Sequence, residues 1–243
     1  MQKSLYDQST LTWSPQGRLY QVEYATEAVN QGNLLIGVKS NTHVVLIGFK
    51  TAPNEKLSYF PEKLFKVSNH IGIGIAGLTP DGRLIYQYMK NQCLNYNYTF
   101  NADYPVEQLV NKIAEKSQLK TQRGENKRPY GVGLLIAGYD RTGPHLFRTC
   151  PSANIYEYHA YAIGSRCQAA NSFLENNLSR FDNMDKDQLI KVALEATRKA
   201  EDVKVDGNNL DIIVVGKDET TKLLSVNEID NYLKGVESKM DLS

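Results

Sequence analysis

The chain has 243 residues, and its 28 Lys and Arg against 27 Asp and Glu give a formal net charge of +1. This near-neutral balance lacks the broad basic excess of a dedicated nucleic-acid-binding protein. Hydrophobic residues make up 41% of the chain, enough for a core in one large domain or two small ones. No stretch reaches the ~20 apolar residues of a membrane helix, and the first seven residues lack the apolar core of a secretory signal. We therefore expect neither nucleic acid nor membrane among its partners.

Short apolar runs bounded by glycine or polar residues predict strands, several of them buried on both faces. In chain order they lie at 34–38, 44–49, 64–67, 71–76, 132–137, 145–149, 156–162, 210–215 and 222–225. The first two runs, and likewise the next two, are separated by a few polar residues, which is hairpin spacing. Strands that follow one another in pairs argue against a doubly wound parallel sheet.

Apolar residues at helical spacing predict helices before, between and after these strand pairs. In chain order they lie at 19–29, 79–89, 106–117, 170–178, 189–200 and 229–236. The tetrapeptides S-R-C-Q at 165–168 and S-V-N-E at 225–228 match the capping box and are expected to open the fourth and sixth helices. The order of elements predicts one domain with two antiparallel sheets packed face to face and helices outside, a four-layer arrangement.

A glycine-rich segment at 72–77 matches the G-x-G-x-x-G pattern of dinucleotide-binding loops. Its glycines lie inside the second strand of a predicted hairpin, and no acidic residue stands about 20 positions beyond Gly77 to bind a ribose hydroxyl. We interpret the segment as a strand that another part of the chain approaches closely. A monomeric module that binds a dinucleotide at this segment is the alternative.

The other charged or reactive side chains form no recognisable motif. No H-E-x-x-H, C-x-x-C, P-loop or G-x-S-x-G sequence occurs, so we expect no metal and no cofactor. The three cysteines have unrelated spacings and are interpreted as reduced thiols. The basic residues Arg123, Lys127 and Arg128 are interpreted as a solvated loop, with an anion site as the alternative. From the sequence alone, Lys63 is interpreted as a surface lysine.

The N-terminal segment carries a more specific pattern. A long signature spans its turn formers and its first helix. It consists of Tyr6-Asp7 and of the pattern S-P-x-G-R-x-x-Q-V-E-Y-A-x-x-A over 14–28. The chain here resembles the alpha-type subunits of the 20S proteasome. The resemblance continues through G-L-x-x-D at 77–81, R-P-Y-G-V at 128–132 and A-G-Y-D at 137–140, and it covers essentially the whole chain. The run 128–140, with G-P-H at 143–145, is most similar to the member at the sixth alpha position of the eukaryotic ring.

The resemblance implies an α+β fold, the four-layer αββα sandwich of N-terminal-nucleophile hydrolases, in a single domain. Its parts are a gate segment at 1–12, a ring-contact helix at 18–30 and the sandwich at 33–243. In this family an active beta subunit exposes a Thr at the start of its first strand, whose amine and hydroxyl act as base and nucleophile. Asn33 stands there in this chain, and the expected Asp falls near Phe49. A non-catalytic subunit is expected, and the alternative is a self-processing, threonine-protease-like beta-type hydrolase.

The resemblance also implies contacts within a ring. The N-terminal helix is expected to contact neighbouring alpha subunits in a seven-membered ring that stacks on a beta ring. By its residues alone, the same apolar seam is free to pack either on the chain's own sheets or on a neighbouring subunit. The residues of this seam are Leu19, Val22, Thr26 and Val29.

Two further sites follow from the resemblance. A cluster that holds open the gate for unfolded substrate matches Tyr6, Asp7, Pro15 and Tyr24, with Gln8 replacing the usual basic residue. A pocket for the C-terminal tails of the regulatory particle or other activators matches Lys63, Gly77 and Leu78, because an ammonium suits a terminal carboxylate. The resemblance places such a protein in the cytoplasm and nucleus, in ubiquitin-dependent protein breakdown.

Overall fold

The computed structural model describes residues 6–51, 61–123, 128–201 and 205–240, with side chains through residue 235. The helices of this part are α1 Tyr20–Asn30, α2 Thr79–Phe100, α3 Val106–Gln122, α4 Cys167–Asn176, α5 Lys186–Ala200 and α6 Val226–Met240, with a short 3-10 turn at Leu178–Asn183. The strands are β1 Leu35–Lys39, β2 His43–Phe49, β3 Leu64–Lys66, β4 Ile71–Gly77, β5 Val132–Asp140, β6 Gly143–Thr149, β7 Ile155–Glu157, β8 Ala160–Ile163, β9 Leu210–Gly216 and β10 Glu219–Leu223. Across these ranges no helix is both long and apolar enough to cross a membrane.

The strands form two five-stranded sheets, ordered β10-β9-β2-β1-β8 and β3-β4-β5-β6-β7. Neighbouring strands are antiparallel throughout. One apolar cluster fills the space between the sheets. A second lies between the first sheet and α4, α5 and α6, and a third lies between the second sheet and α2 and α3. The predicted four-layer sandwich of antiparallel sheets is therefore confirmed.

The single strand predicted at 156–162 is wrong. The chain forms two short strands there, β7 in the second sheet and β8 in the first. Between them, the Tyr158 amide donates to the Leu146 carbonyl at 2.9 Å, and the His159 carbonyl accepts from the Lys39 amide at 2.7 Å. The chain thus passes from one sheet to the other within two residues, a change that a continuous β-type sequence does not reveal.

The two predicted capping boxes have different outcomes. The box at 225–228 is confirmed, because the Ser225 amide donates to Glu228 Oε2 at 2.8 Å and the Glu228 amide donates to Ser225 Oγ at 3.5 Å. The box at 165–168 is wrong, because α4 begins after Arg166 in a left-handed conformation without a side-chain cap. A box formed by Asp185 and Gln188 opens α5 instead.

The glycine-rich segment forms β4, as interpreted from the sequence. A Cβ on Gly72 would lie 2.7 Å from Ile213 Cγ2, and a Cβ on Gly74 would lie 2.4 Å from Leu35 Cδ1. Both neighbours belong to the opposite sheet, so the two sheets approach closely at these glycines. The glycines therefore serve sheet packing.

We predict that Gly74→Ala lowers the free energy of unfolding by about 1–3 kcal/mol, because the added methyl group overpacks the space between the sheets. Urea unfolding of the chain, followed by circular dichroism, measures the change. Gly235→Ala is the matched control: the nearest atom to its added Cβ is Lys191 Cε at 3.9 Å. This helical position should gain up to about 1 kcal/mol. Equal effects of the two substitutions would contradict the close approach of the sheets.

Candidate functional site

A tight turn precedes the first helix and directs the arm formed by residues 6–19 back along it. The Gly17 amide donates to the Ser14 carbonyl at 2.9 Å, and Gly17 has a φ of 75°, which favours glycine. The Ser14 hydroxyl accepts a bond from the Arg18 amide at 3.0 Å. Pro15 occupies the second position of this turn and is exposed to solvent. The turn therefore fixes the path of the arm.

Two contacts hold Asp7 against α1. Tyr24 Oη donates to Asp7 Oδ2 at 3.4 Å, and the side-chain amide of Gln21 donates to the Asp7 carbonyl. Burial and the neighbouring Asp7 charge raise the pKa of Tyr24, which stays a neutral donor. Tyr20 stacks on Tyr24 with ring centroids 6.2 Å apart. The structure thus brings together two of the four predicted gate residues. Sequence reasoning missed the part of Gln21, although Gln21 belongs to the matched signature.

The other gate predictions lie near this pair. Tyr6 is adjacent to Asp7 in the chain and is partly exposed, and Pro15 lies in the turn described above. Gln8 is exposed. Residues 1–5 of the predicted gate segment lie outside the described residues.

The predicted ring-contact seam of α1 divides between two environments. Val29 is buried against the second sheet, where a Cβ on Gly133 would lie 2.7 Å from Val29 Cγ1. The expectation that Val29 faces a neighbouring subunit is therefore corrected. The Thr26 hydroxyl donates a hydrogen bond to the Val22 carbonyl at 3.0 Å. Leu19 and Val22 line an open cleft of about 410 Å³ between the arm and the end of α3, together with Leu11 and Trp13.

The start of the first strand carries no nucleophile. Asn33 Oδ1 accepts a bond from the Thr51 hydroxyl at 3.2 Å, and the Gly32 carbonyl accepts one from the Ser165 amide at 2.7 Å. In the sequence as given, Asn33 follows Gly32, so a free amine at Asn33 would require cleavage of the bond between them. Phe49 ends β2 and is buried, so no carboxylate stands there. In the described ranges, no three His, Cys, Asp or Glu side chains group as a metal site requires.

Lys63 is buried, so the interpretation of it as a surface residue is wrong. Its ammonium lies 3.4 Å from Thr79 Oγ1 at the start of α2. Its backbone amide donates to Asp211 Oδ2 at 3.2 Å, while Lys50 Nζ lies 2.8 Å from Asp211 Oδ1 and pairs with that carboxylate. Burial and the positive charge of Arg83 lower the pKa of Lys63. Among the described residues, no ion pair involves the Lys63 ammonium.

Gly77 and Leu78 lie next to Thr79, so the structure brings the three predicted pocket residues together. Gly77 ends β4 with a φ of 105°, and a Cβ there would lie 2.4 Å from the Gly131 carbonyl oxygen. The Leu78 amide donates to the same oxygen at 2.8 Å. Leu78 is 45% exposed. It occupies the N-cap position of α2, where its apolar side chain forms no hydrogen bond. An exposed apolar surface therefore borders the buried ammonium.

Arg128 is exposed and lies outside the helices and strands, as the interpretation of a solvated loop expects, but it also holds a buried partner. Its guanidinium forms two bonds to the buried carboxylate of Asp81, at 2.5 and 2.8 Å. The Gly131 amide donates to Asp81 Oδ2 at 3.0 Å. Burial alone would raise the pKa of Asp81, but the bonds from Arg128 and Gly131 outweigh it and lower that pKa. Arg123 is exposed, and Lys127 lies outside the described residues.

Fold and site together define a class of protein. Two antiparallel sheets lie between layers of helices, and an attached arm and helix precede the first strand, where an N-terminal nucleophile would have to be free. Such a chain has the sandwich of the N-terminal-nucleophile hydrolases with an added N-terminal element.

Comparison with known families identifies the class further. The model of the proteasome subunit family matches residues 29–215, and the model of the N-terminal signature of A-type proteasome subunits matches residues 6–28. The first match alone covers more than half of the chain. The chain therefore belongs to the proteasome subunit family, and its arm and first helix carry the A-type signature.

Individual relatives are similar over nearly the full length. Proteasome subunit alpha type-1 of Dictyostelium discoideum is 42% identical over 242 residues, covering 98% of this chain and 97% of the relative. A probable proteasome subunit alpha type-6 of Schizosaccharomyces pombe is 43% identical over 235 residues, covering 96% and 86%. Proteasome subunit alpha type-1 of Trypanosoma brucei rhodesiense is 43% identical over 241 residues, covering 98% and 90%. These similarities favour an alpha-type subunit over a beta-type hydrolase.

We predict that Asp81→Asn lowers the free energy of unfolding by about 2 kcal/mol at pH 7, because it weakens hydrogen bonds to a charged group. The folded-state pKa of Asp81 is lowered, so its contribution is complete above the unfolded pKa of about 4 and is lost as pH falls further. The difference between variant and unmodified chain should therefore shrink below pH 4. Urea unfolding at several pH values measures it.

The exposed Glu175 supplies a control for Asp81. Glu175→Gln should change the free energy of unfolding by less than about 0.5 kcal/mol at every pH. An Asp81→Asn effect that stayed constant down to pH 3 would contradict a stabilising carboxylate.

Proposed function

We propose that this chain is a non-catalytic alpha-ring subunit of the 20S proteasome, acting in ubiquitin-dependent protein breakdown in the cytoplasm and nucleus. The observation that carries the proposal is the A-type signature at 6–28, which forms an attached arm and helix ahead of the first strand. The type-1 and type-6 relatives and the run at 128–140 support the sixth alpha position.

The residue at the start of the first strand supports the proposal that this chain is not catalytic. An N-terminal-nucleophile hydrolase needs a hydroxyl or thiol and a free amine on the same residue. Asn33 has a carboxamide in place of a hydroxyl or thiol, and its nitrogen would become a free amine only after cleavage behind Gly32. Lys63 donates toward Thr79 and has no nucleophile to activate.

The cleft beside α1 supports the ring contact. Trp13 is 63% exposed and Leu11 is 49% exposed, and both border the cleft that Leu19 and Val22 line. Large apolar side chains exposed in one place mark protein interfaces. We place neighbouring alpha subunits at this cleft, with heterologous contacts that close a seven-membered ring and leave another face for the beta ring.

The arm supports a part in the gate. Asp7 is hydrogen-bonded to Tyr24 and Gln21, so the direction of the residues before it depends on those two contacts.

The buried ammonium of Lys63 beside exposed Leu78 supports docking of activator tails, whose terminal carboxylate it would neutralise.

The mass of the chain and of its complex tests the proposal. We predict that the chain, isolated from its source, is part of a large multisubunit particle by native mass spectrometry, and that its intact mass shows no cleavage between Gly32 and Asn33. Asn33→Ala should leave peptide hydrolysis by that particle unchanged within error. Cleavage before Asn33, or loss of one peptidase activity in the variant, would favour the beta-type hydrolase.

The gate contact has its own test. We predict that Tyr24→Phe lowers activator-stimulated peptide hydrolysis by the assembled particle, by about twofold at most because one of seven arms is affected. The substitution keeps the aromatic ring but removes the hydroxyl that contacts Asp7. Deletion of residues 1–12 should instead raise unstimulated hydrolysis. Tyr98→Phe, at a side chain 93% exposed, is the matched control. Unchanged rates in both Tyr24→Phe and the deletion would contradict a gate.

A further inference from the structure

We infer that the pocket at the start of α2 selects tails by the charge of their last residue, with Arg83 binding an acidic side chain there and repelling a basic one. Lys63 would bind the terminal carboxylate, so the inference rests on the proposed docking of activator tails. It adds a residue that determines specificity and names the chemistry of the preferred tail, a chain ending in Glu or Asp.

The first support is a buried cation that pairs with no carboxylate among the residues the structure describes. Lys63 is only 9% exposed, and its ammonium lies 3.4 Å from the neutral hydroxyl of Thr79. The nearby carboxylate of Asp211 is paired with Lys50 at 2.8 Å. Burying a charge without a counter-charge is unfavourable. An anion from another molecule would remove that cost.

The second support is the charge around this lysine. Thr79 and Arg83 are four residues apart on α2, so they lie on the same face with Cβ atoms about 6 Å apart. Within the described ranges, neither Lys63 nor Arg83 takes part in an ion pair. The positive charge of Arg83 also contributes to the lowered pKa of Lys63, which shows that the two cations influence each other.

The third support is the uncapped end of α2. Leu78 offers no side-chain acceptor, and the acidic residue of the first turn, Asp81, is bonded to Arg128 and Gly131. The positive end of the helix dipole thus adds to the charge of Lys63 and Arg83. Three positive features converge, and the two nearby carboxylates that the structure describes, Asp211 and Asp81, are engaged by other groups.

The geometry indicates how a tail would use both cations. A terminal Glu carries two carboxylates joined by a short chain, and Thr79, which the Lys63 ammonium contacts, lies about one helical turn of ~5.4 Å from Arg83. With the main-chain carboxylate at Lys63 and Thr79, the side-chain carboxylate can reach Arg83. A terminal Lys would place an ammonium beside Arg83, and like charges at short range repel.

The experiment uses assembled particles that contain this chain and three synthetic octapeptides that differ only in the last residue, Glu, Gln or Lys. Each carries a photo-activatable group, and the cross-link to this chain is quantified by mass spectrometry over a range of peptide concentrations. We expect the Glu peptide to bind about threefold more tightly than the Gln peptide, and the Lys peptide about threefold less tightly, as for a partly exposed ion pair. Arg83→Gln should bring the three affinities together, whereas Lys90→Gln, at an exposed lysine further along α2, should leave their order intact.

The variants separate this inference from the proposed docking. Lys63→Ala should weaken all three peptides by about tenfold while keeping their order. Affinities unchanged by Lys63→Ala would overturn tail docking itself. A general loss in Lys63→Ala, with an order that persists in Arg83→Gln, would overturn only the role of Arg83. Failure of Arg83→Gln particles to assemble by native mass spectrometry would assign the guanidinium to the contact with a neighbouring chain and would also overturn it.

Discussion

The buried carboxylate of Asp81 fixes the segment on which the candidate pocket depends. It accepts bonds from Arg128 and from the Gly131 amide, and so joins the first turn of α2 to the residues that enter β5. With Gly131 held there, its carbonyl oxygen accepts a hydrogen bond from the Leu78 amide. A buried carboxylate without such donors would be costly, so the acid and its partners stabilise the structure as a unit. The position of the pocket beside Lys63 follows from this unit.

Close contacts between backbone segments also hold the N-terminal helix in place. A Cβ on Gly32 would lie 2.2 Å from the Gly77 nitrogen, so the end of α1 passes directly over the end of β4. Val29, three residues earlier, packs against Gly133 of β5. The helix that carries the A-type signature is thus seated on the second sheet. Its seat lies next to the place where an N-terminal nucleophile would require a free chain end.

Electrostatics distinguish this pocket from an ordinary surface. Lys50 and Asp211, for example, form an ion pair in which both side chains are largely buried. Lys63 and Arg83 instead add positive charge at a helix N-terminus. A buried charge without a counter-charge is unfavourable, which is why we propose that an anion from another molecule binds beside Lys63.

Local sequence information was sufficient to predict the sheets and to recognise the signature. Paired apolar runs separated by short polar turns predicted the antiparallel hairpins, because alternation and turn chemistry are local properties. The resemblance placed Asn33 where a catalytic subunit has its nucleophile, and a carboxamide is not a nucleophile of that kind. The remaining features required the folded chain: the run at 156–162 crosses between sheets, Arg128 meets Asp81, Val29 faces inward and Lys63 is buried. Each of these depends on contacts between residues distant in the chain, and neither periodicity nor composition carries information about such contacts.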